Sequence, residues 1–519
     1  MVAAGHPATA EAGTAILCEG GNAIDAAVAA VCTAFIAEPV LTGAGGGGFL
    51  LFSSPHGKAR LYDGFARMPA GKSFRPELRA VPIDFGDSIQ TFHIGQASVA
   101  TPSLLAMLFR AHREHGQLPL IEALAPALHA ARHGIRLNAL QASFIELLRP
   151  ILTHTESCRA LHAPEGELLR EGEEFRNPEL ANTLEMLAIE GIAEMYHGDL
   201  AKAIVRACLP HGLLGMDDLR AEQVAVREPL RIRALGGELL TNPPPSSGGI
   251  LIAYALGLLE RLQSHADVPW NVRMAEVMRA ASSLRGEGLD TRIHEPGIDR
   301  QTLDPRQLDA AAELLRRRLD PDGGPTGGRP PEPSSRHGST THISIIDRDG
   351  MAVSVTSSNG EGSGIVVPGS GIHLNNMLGE EDINPHGFHM LPAGTTLSSM
   401  MAPTIFLRDG RPSLILGSGG SNRLRGAILQ VLARSEMQGE AIEPAVHAPR
   451  LHNESDELDA EPGLLNDSDR GKLMHLGWRI REWSNPSVYF GGVNAIRIDA
   501  RGNLTGAGDP RRGGTIAWT

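Results

Sequence analysis

The feature that most constrains this chain is an abrupt change of character at residue 340. Residues 321–338, PDGGPTGGRPPEPSSRHG, are rich in Pro, Gly and Ser and carry almost no apolar side chain. A stretch of that kind buries too little apolar surface to offset its ordering entropy, and reads as a surface linker. It runs straight into Thr340-Thr341-His342-Ile343-Ser344-Ile345-Ile346, which alternates with the period of a strand. Asp347-Arg348-Asp349-Gly350 is a turn, and Met351 to Thr356 alternates again, so the segment is a β-hairpin. A four-residue turn at 347–350 sets Ile346 opposite Met351 and Thr340 opposite about Ser357, with Ser357 or Ser358 in reach of the Thr340 hydroxyl.

A cut between Ser339 and Thr340 would turn this strand into a new N-terminus. The Thr340 hydroxyl then has a base of its own, the α-amino group, whose unperturbed pKa of about 7.7–8.0 suits proton transfer near neutrality. A strand end is a rigid mount for such a nucleophile. By pattern alone an ordinary hairpin after an ordinary linker is the commoner arrangement, since hydroxyl residues are common in strands. Ile415-Leu416-Gly417-Ser418-Gly419-Gly420-Ser421-Asn422-Arg423 is a strand that runs into a Gly/Ser turn and an apolar helix through Leu432. Backbone N–H groups there suit an oxyanion, and equally the turn uses Gly for a positive φ. Leu397-Ser398-Ser399-Met400-Met401-Ala402-Pro403-Thr404 precedes a further strand, Ile405 to Leu407. The Gly clusters match neither a phosphate loop nor a dinucleotide fingerprint, and no GxSxG or HExxH occurs. The histidines of Pro385-His386-Gly387-Phe388-His389 read as loop surface.

The remainder reads as a large α/β enzyme. Thr9 to Phe35 is two helices joined at Gly20-Gly21-Asn22; FLLF at Phe49 to Phe52 and Ala59 to Asp63 are strands. Residues 103–206 read as mostly helical, and the turn-rich NPPPSSGG of 242–249 leads into a helix from Ile250 to Leu262. With 47 Lys and Arg against 60 Asp and Glu the net charge is −13, which opposes nucleic-acid binding. Four scattered cysteines show neither a disulfide framework nor metal-ligand spacing. Without an apolar run of membrane length or a visible signal peptide, the expected setting is cytoplasmic, or periplasmic or secreted if a leader was trimmed.

These segments together resemble the gamma-glutamyltransferase (gamma-glutamyltranspeptidase, glutathione hydrolase) family. EAGTAILCEGGNAIDAAVAA, TGAGGGGFLL, NPPPSSGG, TTHISIIDRDG, LNNM, LSSMMAPT, GSGGSNR, APRLH and GAGDPRR recur in family order over nearly the whole chain. The resemblance implies a four-layer αββα sandwich of the N-terminal nucleophile hydrolase type. It implies a precursor cut between Ser339 and Thr340 into a large subunit, 1–339, whose linker is 321–339, and a small subunit, 340–519. Thr340 is then the nucleophile, Ser358 the second hydroxyl and Gly419-Gly420 the oxyanion pair. Ser398 and Ser399 hold the donor α-carboxylate. Asn359 falls on the asparagine that follows the second hydroxyl in the family and counts among the substrate-binding residues, and Glu380, with Glu381 and Asp382 adjacent, falls on the acid that binds the donor α-amino group. Phe65 stands where the family carries a carboxylate-clamping arginine, and Arg67 lies two positions on. The resemblance implies a small γ-glutamyl donor such as glutathione and water or an amino acid as acceptor, with no metal or cofactor. Two other readings are a related acylase of the glutaryl-cephalosporin type and a non-catalytic relative.

Overall fold

A computed structural model describes residues 1–84, 89–221, 223–265, 267–320 and 339–519. The linker read at 321–338 lies outside the described residues. Asp347 decides how the hairpin closes. Its Oδ1 accepts from the N–H of Asp349 at 3.0 Å and of Met351 at 2.9 Å, and Gly350 takes φ 85°. The connection therefore takes in Met351. The strands Thr341–Ile346 and Ala352–Ser358 pair Ile346 with Ala352 and Thr341 with Ser357. This corrects the register by one residue and sets Thr340 opposite Ser358 rather than Ser357.

The hairpin lies inside a seven-stranded sheet, in the order Thr515–Ala517, Val2–Ala4, Thr341–Ile346, Ala352–Ser358, Gly47–Ser53, Ala59–Gly64, Ala225–Arg227. Every residue of Thr341–Ile346 is buried, because both faces of the sheet are covered. Ile343, Ile345, Val353 and Val355 share a core with the helix Ala23–Ala37, whose alanine-rich surface permits close packing. Asn22 caps that helix, its Oδ1 accepting from the N–H of Ile24 and Asp25, which explains the break at Gly-Gly-Asn. The opposite face meets a six-stranded sheet, in the order Leu504–Ala507, Gly492–Ile498, Arg411–Gly419, Thr404–Arg408, Gly237–Thr241, Leu230–Ala234.

Polar bonds stitch the two sheets together. Ser344 Oγ donates to the Asn494 carbonyl at 2.9 Å, Ser354 Oγ to the Leu416 carbonyl at 3.1 Å, and Asn494 Nδ2 to the His342 carbonyl at 2.7 Å. Gly417 faces the His342 ring so closely that a Cβ there would overlap it. The helices Ser247–Arg261, Trp270–Leu284 and Arg423–Met437 cover the far side of the six-stranded sheet, in one core with Leu239, Phe406, Leu414 and Leu416. The layers run helix, sheet, sheet, helix, as the resemblance implies. Strands from before and after residue 340 pair with one another in both sheets, so the two parts form one body. The helix read at 250–262 begins earlier, at Ser247, and the others fall close to their expected places. Among the described residues no helix is long and apolar enough to cross a membrane.

Candidate active site

The strand alternation places Thr340 on the face of His342 and Ser344, toward the six-stranded sheet. Gly419, at the end of Arg411–Gly419, packs its backbone directly on the Thr340 carbonyl; a Cβ there would overlap that oxygen. Arg512 Nη1 donates to the same carbonyl at 3.4 Å. Desolvation lowers the Arg512 guanidinium to about 10, with Asp509 opposing the shift. Thr341, next along, turns to the other face and donates from Oγ1 to Glu38 at 2.7 Å; Thr9 Oγ1 donates to the other Glu38 oxygen at 3.1 Å. Glu38 is buried, and desolvation raises its pKa against those two hydrogen bonds. The backbone at 340–341 is thus clamped from both sheet faces.

The bond before Thr340 is held with equal definition. Ser358 Oγ donates to the Ser339 carbonyl. It also accepts from the Gly360 N–H at 3.0 Å, which leaves its own proton for that carbonyl. The Ser339 N–H donates to Glu361 Oε1 at 3.2 Å. A hydroxyl on the Ser339 carbonyl oxygen draws charge from the carbonyl carbon, the atom that the Thr340 hydroxyl would attack. Ser339, Glu361 and Arg512 are among the residues that line a cavity of about 730 Å³, with Phe144, Trp483 and Val488. That is the size and apolar character of a small-molecule site.

Of the other expected residues, some lie near this point and others do not. Gly360, with φ 58°, leaves room for Glu380, whose Oε1 a Cβ would overlap. Asp382 accepts from Ser421 Oγ at 2.9 Å, beside the Gly419-Gly420 turn, where Gly420 takes φ 120°. Ser398 Oγ donates to the Ile383 carbonyl at 3.4 Å. Ser246 Oγ donates to the Ser399 and Met401 carbonyls, both at 2.8 Å, so NPPPSSGG positions the serine pair. Asn359 Nδ2 donates to the His373 carbonyl at 3.2 Å, while its Oδ1 is buried without a partner. Glu381 is exposed. Arg67 bridges Thr101 and Thr396 through its backbone, one segment away from Ser398. Phe65 is 3% exposed and stacks on Phe49 at 5.3 Å between centroids. It belongs to the core and is not among the residues that line the cavity.

Glu361, Glu38 and Arg512 were not singled out from the sequence. Glu361 had a signal, an acid inside the glycine-rich turn that follows the strand of Ser358. Desolvation, above all, pushes its pKa up to about 8. Glu380 is raised well above the usual carboxylate range by desolvation, then by Glu361 and Asp382. Between about pH 4.3, where an unperturbed Glu ionises, and pH 8, the folded chain keeps protons that the unfolded chain has released. Stability therefore falls as pH rises through that window, by up to about 1.4 kcal/mol per pH unit for each such group. Urea denaturation of uncleaved Thr340→Ala protein at pH 5 and pH 8 should show this fall, and Glu361→Gln should flatten it. An unaltered slope in Glu361→Gln would remove Glu361 as its source.

An αββα sandwich with a candidate nucleophile at the start of a central strand defines the N-terminal nucleophile hydrolase class. The same fold occurs in the crystal structure of a cephalosporin acylase from Bacillus halodurans, with a TM-score of 0.84 over 100% of this chain and 95% of that one, at 24% identity. The gamma-glutamyltranspeptidase family model matches residues 9–519. The glutathione hydrolase proenzyme of Escherichia coli K12 is 30% identical over 98% of this chain and 90% of its own length. The acylase ACY 1 proenzyme of Pseudomonas sp. V22 is 29% identical over 99% and 92%. The chain belongs to the gamma-glutamyltranspeptidase family.

Proposed function

We propose that this protein is a precursor that cuts itself between Ser339 and Thr340 and then acts as a γ-glutamyl hydrolase or transferase through Thr340. The observation that carries this reading is the Ser358 hydroxyl on the Ser339 carbonyl, with Thr340 directly across the strand pair. In the first step Thr340 Oγ adds to the Ser339 carbonyl carbon, and the tetrahedral species expels the Thr340 nitrogen. The peptide becomes an ester. Water then hydrolyses the ester, leaving a Ser339 carboxylate, a free hydroxyl and a free amine on Thr340. In turnover that amine takes the Thr340 proton, Oγ attacks the donor carbonyl, and the donor amine leaves with the proton. Water or an amino acid releases the acyl group. Gly419 and Gly420 are assigned to the oxyanion, Ser398, Ser399 and Arg67 to the donor carboxylate, and Asn359, Glu380 and Glu381 to its amino group.

A second reading, an acylase on another acyl amide, is favoured by one observation: Phe65, which the resemblance sets at the arginine position, is turned into the core against Phe49. A charge-assisted contact of the kind lost there contributes about 1.5–3 kcal/mol, or roughly 10- to 150-fold in affinity. Cleaved protein should therefore be offered γ-glutamyl, glutaryl and α-amidated γ-glutamyl anilides. We expect turnover of the first, with discrimination against the α-amidated donor smaller than a factor of about 100, and a covalent acyl adduct on Thr340 of the 340–519 chain. An adduct on a cysteine would refute the nucleophile; turnover of the glutaryl donor alone would select the acylase.

A further inference from the structure

Cys158, His162 and His373 form a buried cluster that the reaction above does not use. Cys158 and His162 stand four residues apart on the helix Glu156–His162, a spacing that puts both on one face. His373 ends the short strand Ile372–His373, which pairs with Val366–Val367. The fold brings it against that helix from 215 residues along the chain, so no sequence spacing announces the group. Cys158 is 0% exposed and His162 1%, and His373 at 8% is the most open of the three. Cys158 Sγ lies 3.9 Å from His373 Nε2, and one ligand atom from each of the three residues lies within 4.8 Å of the others. Both rings are held by packing. His162 stacks on Phe175 at 5.4 Å between centroids and meets His373 edge-on at 5.9 Å, while a Cβ on Gly362 would overlap the His373 ring.

Hydrogen bonding leaves this cluster incomplete. Among the described residues neither ring nitrogen of His162 has a partner, although both are buried. An imidazole shut away from water with neither nitrogen paired is a costly arrangement. His373 Nε2 accepts from the Gly364 N–H at 3.2 Å, which makes it the unprotonated nitrogen of its ring. Burial, above all, keeps both imidazoles neutral, lowering His162 to about 3 and His373 to about 4. Neutral imidazoles beside a thiol are a donor set that suits zinc. Around a tetrahedral zinc, thiolate and imidazole ligand atoms stand about 3.3–3.6 Å apart, so the cluster closes on an ion with shifts of roughly 1 Å.

We propose that Cys158, His162 and His373 are a binding site for one zinc ion. On binding, the Cys158 S–H bond breaks and its proton leaves to solvent. The thiolate, one nitrogen of His162 and His373 Nε2 take the ion, with a water in the fourth position. His373 Nε2 exchanges the Gly364 N–H for the ion. The first two ligands belong to 1–339 and the third to 340–519, so the ion ties the two parts together once the proposed cut is made. That consequence, unlike the binding, rests on the cleavage reading.

The test uses untagged, uncleaved Thr340→Ala protein produced with zinc or cobalt in the medium, so that the ion is present while the chain folds, and then freed of loose metal by gel filtration. One equivalent of zinc per chain is expected. The cobalt form should show a thiolate-to-cobalt charge-transfer band, which only a cysteine ligand gives. Loss of a partner outside the ligand set typically weakens a metal about 10- to 100-fold, so loss of a ligand should cost at least about 100-fold. Cys158→Ser and His162→Phe should therefore lose both metal and band. Phenylalanine keeps a ring packed on Phe175 while removing both nitrogens, so His162→Phe carries the comparison if Cys158→Ser does not fold. Cys18→Ser, which removes the exposed cysteine, should keep both signals. Protein without metal, or a band that Cys158→Ser leaves in place, overturns the site. In cleaved wild type, zinc should raise the urea concentration at which 1–339 and 340–519 separate, and Cys158→Ser should remove that rise. Bound metal with no rise overturns the tie between the parts. A wild-type chain that never yields two fragments overturns the cleavage reading and leaves the metal result standing.

Discussion

Thr340→Ala should remain a single 519-residue chain under conditions in which the wild type separates into 1–339 and 340–519. The loss should be complete, because alanine removes the only atom that attacks the Ser339 carbonyl in the proposed step. The fold should survive. Thr340 precedes the paired residues of its strand, and the clamp on the next residue, Thr341 to Glu38, is untouched. Ser358→Ala is the graded companion. It keeps the nucleophile but withdraws the hydroxyl from the carbonyl, and loss of one such donor typically costs about 10²–10³ in rate. Cleavage should therefore be slow rather than absent. Intact mass followed over days of storage reads both outcomes. A Thr340→Ala protein that still yields the two fragments would show that another group, or a contaminating protease, makes the cut.

How much of this was legible beforehand depends on the range of the interactions involved. Period-two alternation located the hairpin, and the Gly-Gly-Asn cap located the helix boundary at Asn22, because both are written in neighbouring residues. The register slipped by one because it depends on a side chain. Asp347 Oδ1 captures the Met351 N–H and draws a fifth residue into the turn, which counting turn residues does not detect. The site shows the same division. Thr340, Ser358, Gly419 and Ser398 lie in motifs that could be read, but Glu38 and Arg512 act on the nucleophile's backbone from the two ends of the chain. Arg512 ends the GAGDPRR motif, but nothing local assigns it to the nucleophile, and nothing local marks Glu38 at all. Phe65 was readable as a substitution for arginine, whereas its turn into the core against Phe49 is a fact of packing. Glu361 lies between these cases. Its burial follows from Gly360, Gly362 and Gly364, all with positive φ, folding the turn back over the strand end.

Those close approaches make Gly419 the second position at which a small change should have a large effect. Its backbone pairs with Gly492 in the six-stranded sheet while its Cα faces the Thr340 carbonyl of the other sheet. An added methyl would overlap that carbonyl oxygen and come within 3.1 Å of Arg512 Nη1. The oxygen cannot yield alone, because it belongs to backbone held by the Thr341–Glu38 bond on one side and the Ser358–Ser339 bond on the other. The two sheets must separate at this end. Overpacking of a filled interior costs about 1–3 kcal/mol, which a protein of this size can absorb and stay folded. The chemistry is less tolerant, since a displacement of about 1 Å between reacting groups can cost about 10² in rate. Gly419→Ala should accordingly fold with a lowered melting temperature and cleave itself at least about 100-fold more slowly than the wild type. Gly471→Ala is the matched control. Gly471 lies on the exposed helix Asp467–His475, and a Cβ there meets nothing within 4 Å. It should raise helix stability by up to about 1 kcal/mol and leave the cleavage rate alone. Normal cleavage in Gly419→Ala, with normal labelling of Thr340 afterwards, would show that the sheets can part at this end without disturbing the nucleophile, and the assignment of Gly419 to the site would be withdrawn.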